Sequence, residues 1–315
     1  MISDSGTNVA KVIEKDQDKD LRGQLKHFMK LTGMSDVVIA RALRRQVAVI
    51  IKYLSAQPMP YTKGLDEDIA EFLGVESQWR LMPTENLTMV FDMCRYAKRR
   101  KRVAALSGRS GYGKTTALKL FARTEGAIYY CYDETSGYRD VIMDILQRLG
   151  VPDARTITVG RLRRSLVKEI KKQKNPLLII DQADTLPFKA IECLRTVHDE
   201  TGCPIMLSGL SGRLLDRLKR RNARENAEQV FSRIAAYINL PKPTESDVQE
   251  ICLNFNIDGI RAQDFVNSRA AVGGYRAVRM LCEDASDIAK ENSLRKINLA
   301  CLKKAAEYLI TTIDD

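Results

Sequence analysis

The chain has 315 residues, 44% apolar and 29% charged, a balance that supports buried cores and excludes a disordered or fibrous polymer. Its net charge of +11 points to a polyanionic partner, with nucleic acid ahead of an acidic membrane surface. The seven Cys are scattered, never in a C-x-x-C pair, and only two His occur, so neither a zinc site nor a disulfide framework is expected. No apolar run of about 18 residues, signal peptide or lipidation motif stands out, and the expected setting is the cytoplasm without membrane contact.

Residues 1–20 are polar and predict a flexible arm. Residues 21–82 then read as a separate helical head of helix-turn-helix outline. Leu25, Phe28 and Met29 fall at i, i+3, i+4 spacing, Thr32-Gly33 ends that helix, and Ser35 stands ready to cap a second one over 37–43. Ser35 and Arg41 are the head's candidate DNA contacts, and a plain bundle used for protein contacts is the alternative. Val47, Ile50, Ile51 and Leu54 carry the pattern on to Pro58. A short helix over 65–73 ends at Gly74, before a linker that holds the only Trp, Trp79.

Over residues 83–240 strand and helix patterns alternate, which predicts an open parallel sheet flanked by helices with its ligand at the strands' carboxyl ends. Val103–Leu106 leads into Gly108-Arg-Ser-Gly-Tyr-Gly-Lys-Thr115, and a helix-forming run follows. This is the G-x-x-x-x-G-K-[ST] phosphate loop in the strand–loop–helix setting it requires. Gly108, Gly111 and Gly113 are expected to adopt backbone angles closed to other residues, turning N–H groups onto phosphate oxygens. Ser110, Tyr112 and Thr116 complete the cradle. Lys114 is placed to reach the β- and γ-phosphates of ATP, and the Thr115 hydroxyl to take Mg²⁺. The apolar run Pro176–Ile180 ends in Asp181, a second Mg²⁺ group. Gln182 follows it. An amide can orient a water but cannot accept its proton, so ATP binding is expected to survive while hydrolysis is slow.

Residues 241–315 read as a helical lid. Pro241-Lys-Pro243 breaks the chain, Thr244-Glu-Ser-Asp247 has capping-box form, and helices are predicted over 262–266, 275–291 and 298–310. Gly273-Gly-Tyr-Arg276 opens one of them and directs Arg276 toward a γ-phosphate.

The phosphate loop, the Asp181 strand, Phe231-Ser232-Arg233 before the last strand, and a G-x-x-R in an all-helical lid together resemble the AAA+ ATPases over residues 84–315. The resemblance implies a five-stranded P-loop domain with a helical lid. It makes Arg233 an arginine finger acting on a neighbouring subunit's nucleotide and Arg276 the sensor-2 arginine. A sensor-1 residue should stand near Ser208, where Ser-Gly-Leu-Ser replaces the commoner Asn or Thr. LLIIDQAD resembles the family's IIDEAD closely enough that a Glu→Gln change made to trap the ATP-bound state is favoured over a naturally weak site.

Within that class the compact size and the FSRIA segment are similar to the MuB/TnsC/IstB group of transposition ATPases, and the head is closest to MuB. That likeness implies a homo-oligomeric filament or ring on duplex DNA, largely indifferent to sequence, which selects target DNA and activates a DDE transposase. Arg155, Thr158, Arg161 and Arg164, which face the channel in the resembling proteins, are the candidate phosphate contacts. Lys98–Arg102 and Arg217–Arg224 are alternatives. A helicase loader or origin-recognition-type ATPase, and an ATP-switched transcription regulator, are the competing readings.

Overall fold

Five strands form one parallel sheet in the order β2-β3-β4-β1-β5. The computed structural model describes residues 21–30, 32–55, 64–73, 82–151, 158–219 and 232–309. β1 (Val103–Gly108), β3 (Leu178–Asp181) and β4 (Ile205–Leu210) are buried along almost their whole length, as continuous apolar runs covered on both faces must be. The flanking β2 (Ile128–Cys131) and β5 (Ile234–Asn239) are the more exposed strands. The five-stranded parallel sheet flanked by helices follows the expectation from sequence.

One face of the sheet carries α5 (Glu85–Arg100) and α6 (Lys114–Glu125). α5 begins where the Thr84 hydroxyl accepts from Leu87 N at 3.3 Å, and stops where Lys101 turns left-handed at φ 49°. Its buried Leu87, Val90, Phe91, Cys94 and Ala97 recur at helical spacing and form the stripe that meets the sheet. The other face is covered by α7 (Tyr138–Arg148), α8 (Val159–Lys172) and α9 (Phe188–Thr201), whose apolar sides share a second core.

The head consists of a helix over 21–30 (α1), then α2 (Asp36–Ala42), α3 (Val47–Leu54) and α4 (Leu65–Leu73). A turn at Gly33, φ 64°, separates the helix over 21–30 from α2, and a second turn separates α2 from α3. The turn between them was not legible because Arg44, not a glycine, adopts the left-handed conformation there, at φ 53°. Nor is the head's core separate. Leu25, Phe28, Met34 and Ile39 belong to one buried cluster with Phe91, Cys94 and Phe121. The Arg95 guanidinium fastens the junction, donating to Thr32 O at 2.7 Å and to Glu125 Oε1 at 3.1 Å. The linker over 74–81, with Trp79, lies outside the described residues.

After a short α10 (Arg213–Lys219) beyond β4, the lid comprises α11 (Glu245–Asn254), α12 (Ile260–Glu291) and α13 (Leu299–Tyr308) around its own core. The capping box is present as expected: Thr244 Oγ1 accepts from Asp247 N, and Asp247 Oδ2 from Thr244 N, each at 3.2 Å. Among the described residues no helix is long and apolar enough to cross a membrane.

Because Phe28 is fully enclosed and packs edge-to-face on Phe72 at 5.7 Å, Phe28→Ala is expected to cost about 3–5 kcal/mol of stability in urea unfolding. A head that merely hung from the α/β domain would unfold in a separate, earlier transition.

Candidate nucleotide site

At the carboxyl ends of β1 and β3, a cavity of about 540 Å³ is lined by Ser110, Gly111, Tyr112, Gly113, Lys114, Thr115 and Thr116. Asp181, Gln182 and Asp184 face it from the β3 side, and Tyr275, Arg276 and Arg279 from the lid. Gly111 and Gly113 take φ 81° and 83°, so the loop can curl its N–H groups inward ahead of the α6 N-terminus. Gly108 does not share this role. It ends β1 without a left-handed turn, and what its missing side chain provides is room, since a Cβ there would lie 3.1 Å from Leu240 Cβ.

Lys114 Nζ donates to the carbonyls of Gly108 at 2.6 Å and Arg109 at 2.8 Å. Burial pushes its pKa down, while the carboxylates of Asp181 and Asp184 pull it back up and Arg276 adds to the lowering. Thr115 Oγ1 donates to Asp181 Oδ2 at 2.7 Å, joining the phosphate loop to the end of β3. These are hard oxygen donors suited to Mg²⁺, which needs only one or two protein ligands beside phosphate. Among the described residues no group of three or more His, Cys, Asp or Glu could hold a metal alone.

Asp184 is buried, and it reaches across β4 only because residue 209 is glycine: a Cβ there would lie 2.6 Å from Asp184 Oδ1. Gln182 is exposed, with φ 58°, and its N–H donates to Asp181 Oδ1 at 3.0 Å.

The lid meets the loop backbone to backbone. α12 is broken at Gly274, φ 66° and ψ −162°. A Cβ on Gly274 would lie 2.7 Å from Tyr112 Cδ1, and one on Gly111 would lie 2.6 Å from the Gly273 carbonyl oxygen. Restarting the helix here brings Arg276 Nη1 to 3.2 Å from Ser110 Oγ. The buried carboxylate of Asp247 ties these parts together. It accepts from Tyr275 OH at 2.6 Å and from Glu85 N, the first residue of α5, at 3.0 Å. Asn86 Nδ2 completes the junction by donating to Tyr112 O at 3.2 Å and Pro241 O at 3.0 Å.

Ser208 stands away from the cavity, and so does Arg233, which was expected to act on a neighbouring subunit's nucleotide. Ser208 does not line the cavity, because a central strand encloses its hydroxyl, which is buried without a hydrogen-bond partner; Gly209 and Leu210 line the cavity instead. Arg233 sits beside Ile234, whose Cα pairs with Val103 at the far end of β1, and its Nε is 3.1 Å from Asp199 Oδ1. Glu134, Arg213, Thr185, Tyr275 and Arg279 line the cavity and were missed. For Arg279 the signal was available, one helical turn beyond Arg276.

Of the nucleic-acid candidates, Thr158, Arg161 and Arg164 are exposed at the start of α8, and Arg155 lies outside the described residues. Ser35 precedes α2 without a side-chain capping bond. Arg41 brings its guanidinium to the C-terminal end of α6, where a Cβ on Gly126 would lie 3.6 Å from Arg41 Nη1.

The AAA domain family model matches residues 94–218. The chain is 27% identical over 178 residues to the Mu-like prophage FluMu DNA transposition protein B of Haemophilus influenzae, covering 56% of this chain and 61% of that protein. It is 26% identical over 204 residues to the ATP-dependent target DNA activator B of Escherichia phage Mu, covering 64% of each. The chain thus carries an AAA domain over residues 94–218 and is similar to MuB-type target DNA activators. The matches span less than two thirds of either relative's own length. Among solved structures, the ORC1 protein of Aeropyrum pernix, determined in complex with DNA, is similar with a TM-score of 0.51 and 20% identity over 70% of this chain and 64% of that one. This last likeness concerns the AAA+ fold alone.

Gly274→Ala forces a side chain against Tyr112 at a left-handed position. It is expected to cost about 1–3 kcal/mol in urea unfolding and to weaken nucleotide binding in a fluorescent-nucleotide titration.

Proposed function

We propose that this chain is an ATP-dependent DNA-binding protein that assembles on duplex DNA, selects it as a transposition target and activates a DDE transposase. The observation that carries the reading is the joining of Lys114, Asp181 and the lid's Arg276 around one cavity, in a chain whose relatives include a target DNA activator named as ATP-dependent. In this reading the protein works in the cytoplasm of a bacterial or phage-infected cell.

With ATP bound, Lys114 leaves the carbonyls of Gly108 and Arg109 for the β- and γ-phosphates, and the N–H groups of the loop hold the remaining oxygens. Thr115 and Asp181 are the residues that would hold Mg²⁺, which supplies charge neutralisation between the phosphates. Arg276 reaches the γ-phosphate from the lid. Gln182 orients a water without taking its proton, so turnover is slow and the ATP-bound state long-lived.

Arg233, at the opposite end of the sheet from its own phosphate loop, is suited to a neighbour's nucleotide. A head-to-tail contact of that kind closes into a ring or winds into a filament. Thr158, Arg161, Arg164 and Arg155 are the proposed phosphate contacts in the ATPase domain, with Ser35 and Arg41 in the head.

Lys114→Ala is expected to abolish nucleotide binding in equilibrium titration. Gln182→Glu restores a proton acceptor and is expected to raise the ATPase rate about 100-fold or more, measured by phosphate release. Arg161→Ala should lower the slope of log affinity against log salt by about 0.9 for random duplex. Negative-stain imaging with ATP and random duplex should show filaments or rings; discrete site-bound dimers would favour an ATP-switched sequence-specific regulator, a reading to which the head's helix-turn-helix outline also lends support.

A further inference from the structure

Asp181 is gripped from a third direction, by a residue that neither the phosphate loop nor the lid supplies. Tyr129 OH donates to Asp181 Oδ2 at 3.0 Å, the same oxygen that takes the Thr115 hydroxyl. Tyr129 lies on β2, in register with Ile179 of β3, and its strand neighbour Cys131 is in register with Asp181 itself. Residues 129 and 131 share a face of the strand, so the long phenol leans along β2 and reaches the carboxylate two positions on. Lys119 of α6 places its Nζ over the ring, 5.9 Å from the centroid.

We propose that Tyr129 is a positioning residue for the metal–nucleotide site: it fixes the Asp181 carboxylate when the Thr115 hydroxyl turns away to ligate Mg²⁺. The proposal rests on the nucleotide reading given above. Among the described residues, Thr115 and Tyr129 are the only side chains donating to Oδ2, while Oδ1 is held by Gln182 N. A hydroxyl that binds the metal leaves Oδ2, and Tyr129 is then the side-chain donor that remains. Without it the carboxylate can rotate about its χ2 bond, which is broad and has no staggered wells to hold it. Burial pushes the phenol's pKa well above its ordinary value, and the Asp181 charge adds to that.

The competing account is a half-buried tyrosine that simply needs a partner for its hydroxyl. That account predicts a change in stability and none in metal dependence. Tyr129→Phe keeps the ring, its packing and its contact with Lys119, and removes only the donor. The full-length chain would be loaded with a fluorescent ATP analogue in EDTA and titrated with Mg²⁺, with Mn²⁺ binding followed in parallel by electron paramagnetic resonance.

The half-saturating Mg²⁺ concentration is expected to rise about tenfold in Tyr129→Phe, as for other residues that orient a metal-binding group, with metal-free nucleotide affinity within about twofold of the parent. An unchanged Mg²⁺ midpoint and an unchanged Mn²⁺ spectrum would overturn the proposal. Should Tyr129→Phe fold poorly, Lys119→Met, which releases the ring and leaves the hydroxyl, is expected to raise the Mg²⁺ midpoint in the same direction by a smaller factor. No rise there would equally count against it. If the parent protein and Lys114→Ala give the same signal in EDTA, the nucleotide reading itself has failed, an outcome distinct from a normal nucleotide titration with an unmoved metal midpoint.

Discussion

The lid and the phosphate loop are separated by some 160 positions in sequence yet touch main chain to main chain, and the geometry of the site depends on that contact. A Cβ on Gly111 would meet the Gly273 carbonyl, and one on Gly274 would meet the Gly111 carbonyl. Neither approach is possible with a side chain in the way. The same break at Gly274 interrupts α12 and restarts it with Tyr275 and Arg276 facing the cavity. One conformational irregularity therefore both sets how closely the lid sits and brings its arginine to the loop. Around this contact Lys114, Arg213, Arg276 and Arg279 face Glu134, Asp181 and Asp184, a mixture of charges suited to an anionic ligand accompanied by a cation.

What could be read in advance was what local pattern encodes. Uninterrupted apolar runs gave β1, β3 and β4, the glycine spacing gave the phosphate loop, and Thr244 with Asp247 gave the start of the lid. Features that depend on where distant strands come to rest could not be read. Glu134 and Tyr129 enter the site because β2 lies beside β3, and nothing in either residue's own neighbourhood announces it. Ser208 was misjudged for a related reason. Being near the end of the correct strand is not enough when β4 is covered on both faces and its hydroxyl has no way out to the cavity. In the head, a turn made by Arg44 in place of glycine hid the break between α2 and α3.

The basic residues divide by what surrounds them. Arg95 and Lys98 are committed to the C-terminal end of α6, bonding Glu125 Oε1 and Glu125 O, where cations offset the helix dipole. Arg41 reaches toward the same end while itself staying exposed. Arg161 and Arg164 remain exposed on α8. A high net charge alone does not make this distinction; the position of each cation relative to helix ends and carboxylates does.

The Asp247 carboxylate has a mechanical meaning beyond capping. It accepts from the first backbone N–H of α5 with one oxygen and from the Tyr275 hydroxyl, inside the lid, with the other, so a single buried carboxylate joins two lid helices to the start of α5. A swing of the lid must then break a buried charge-assisted bond or drag the first turn of α5 along. That turn leads through a single helix to the cluster shared with α1 and α2. α5 thus runs as one continuous helix from the bond to the lid at its first residue to the core of the head.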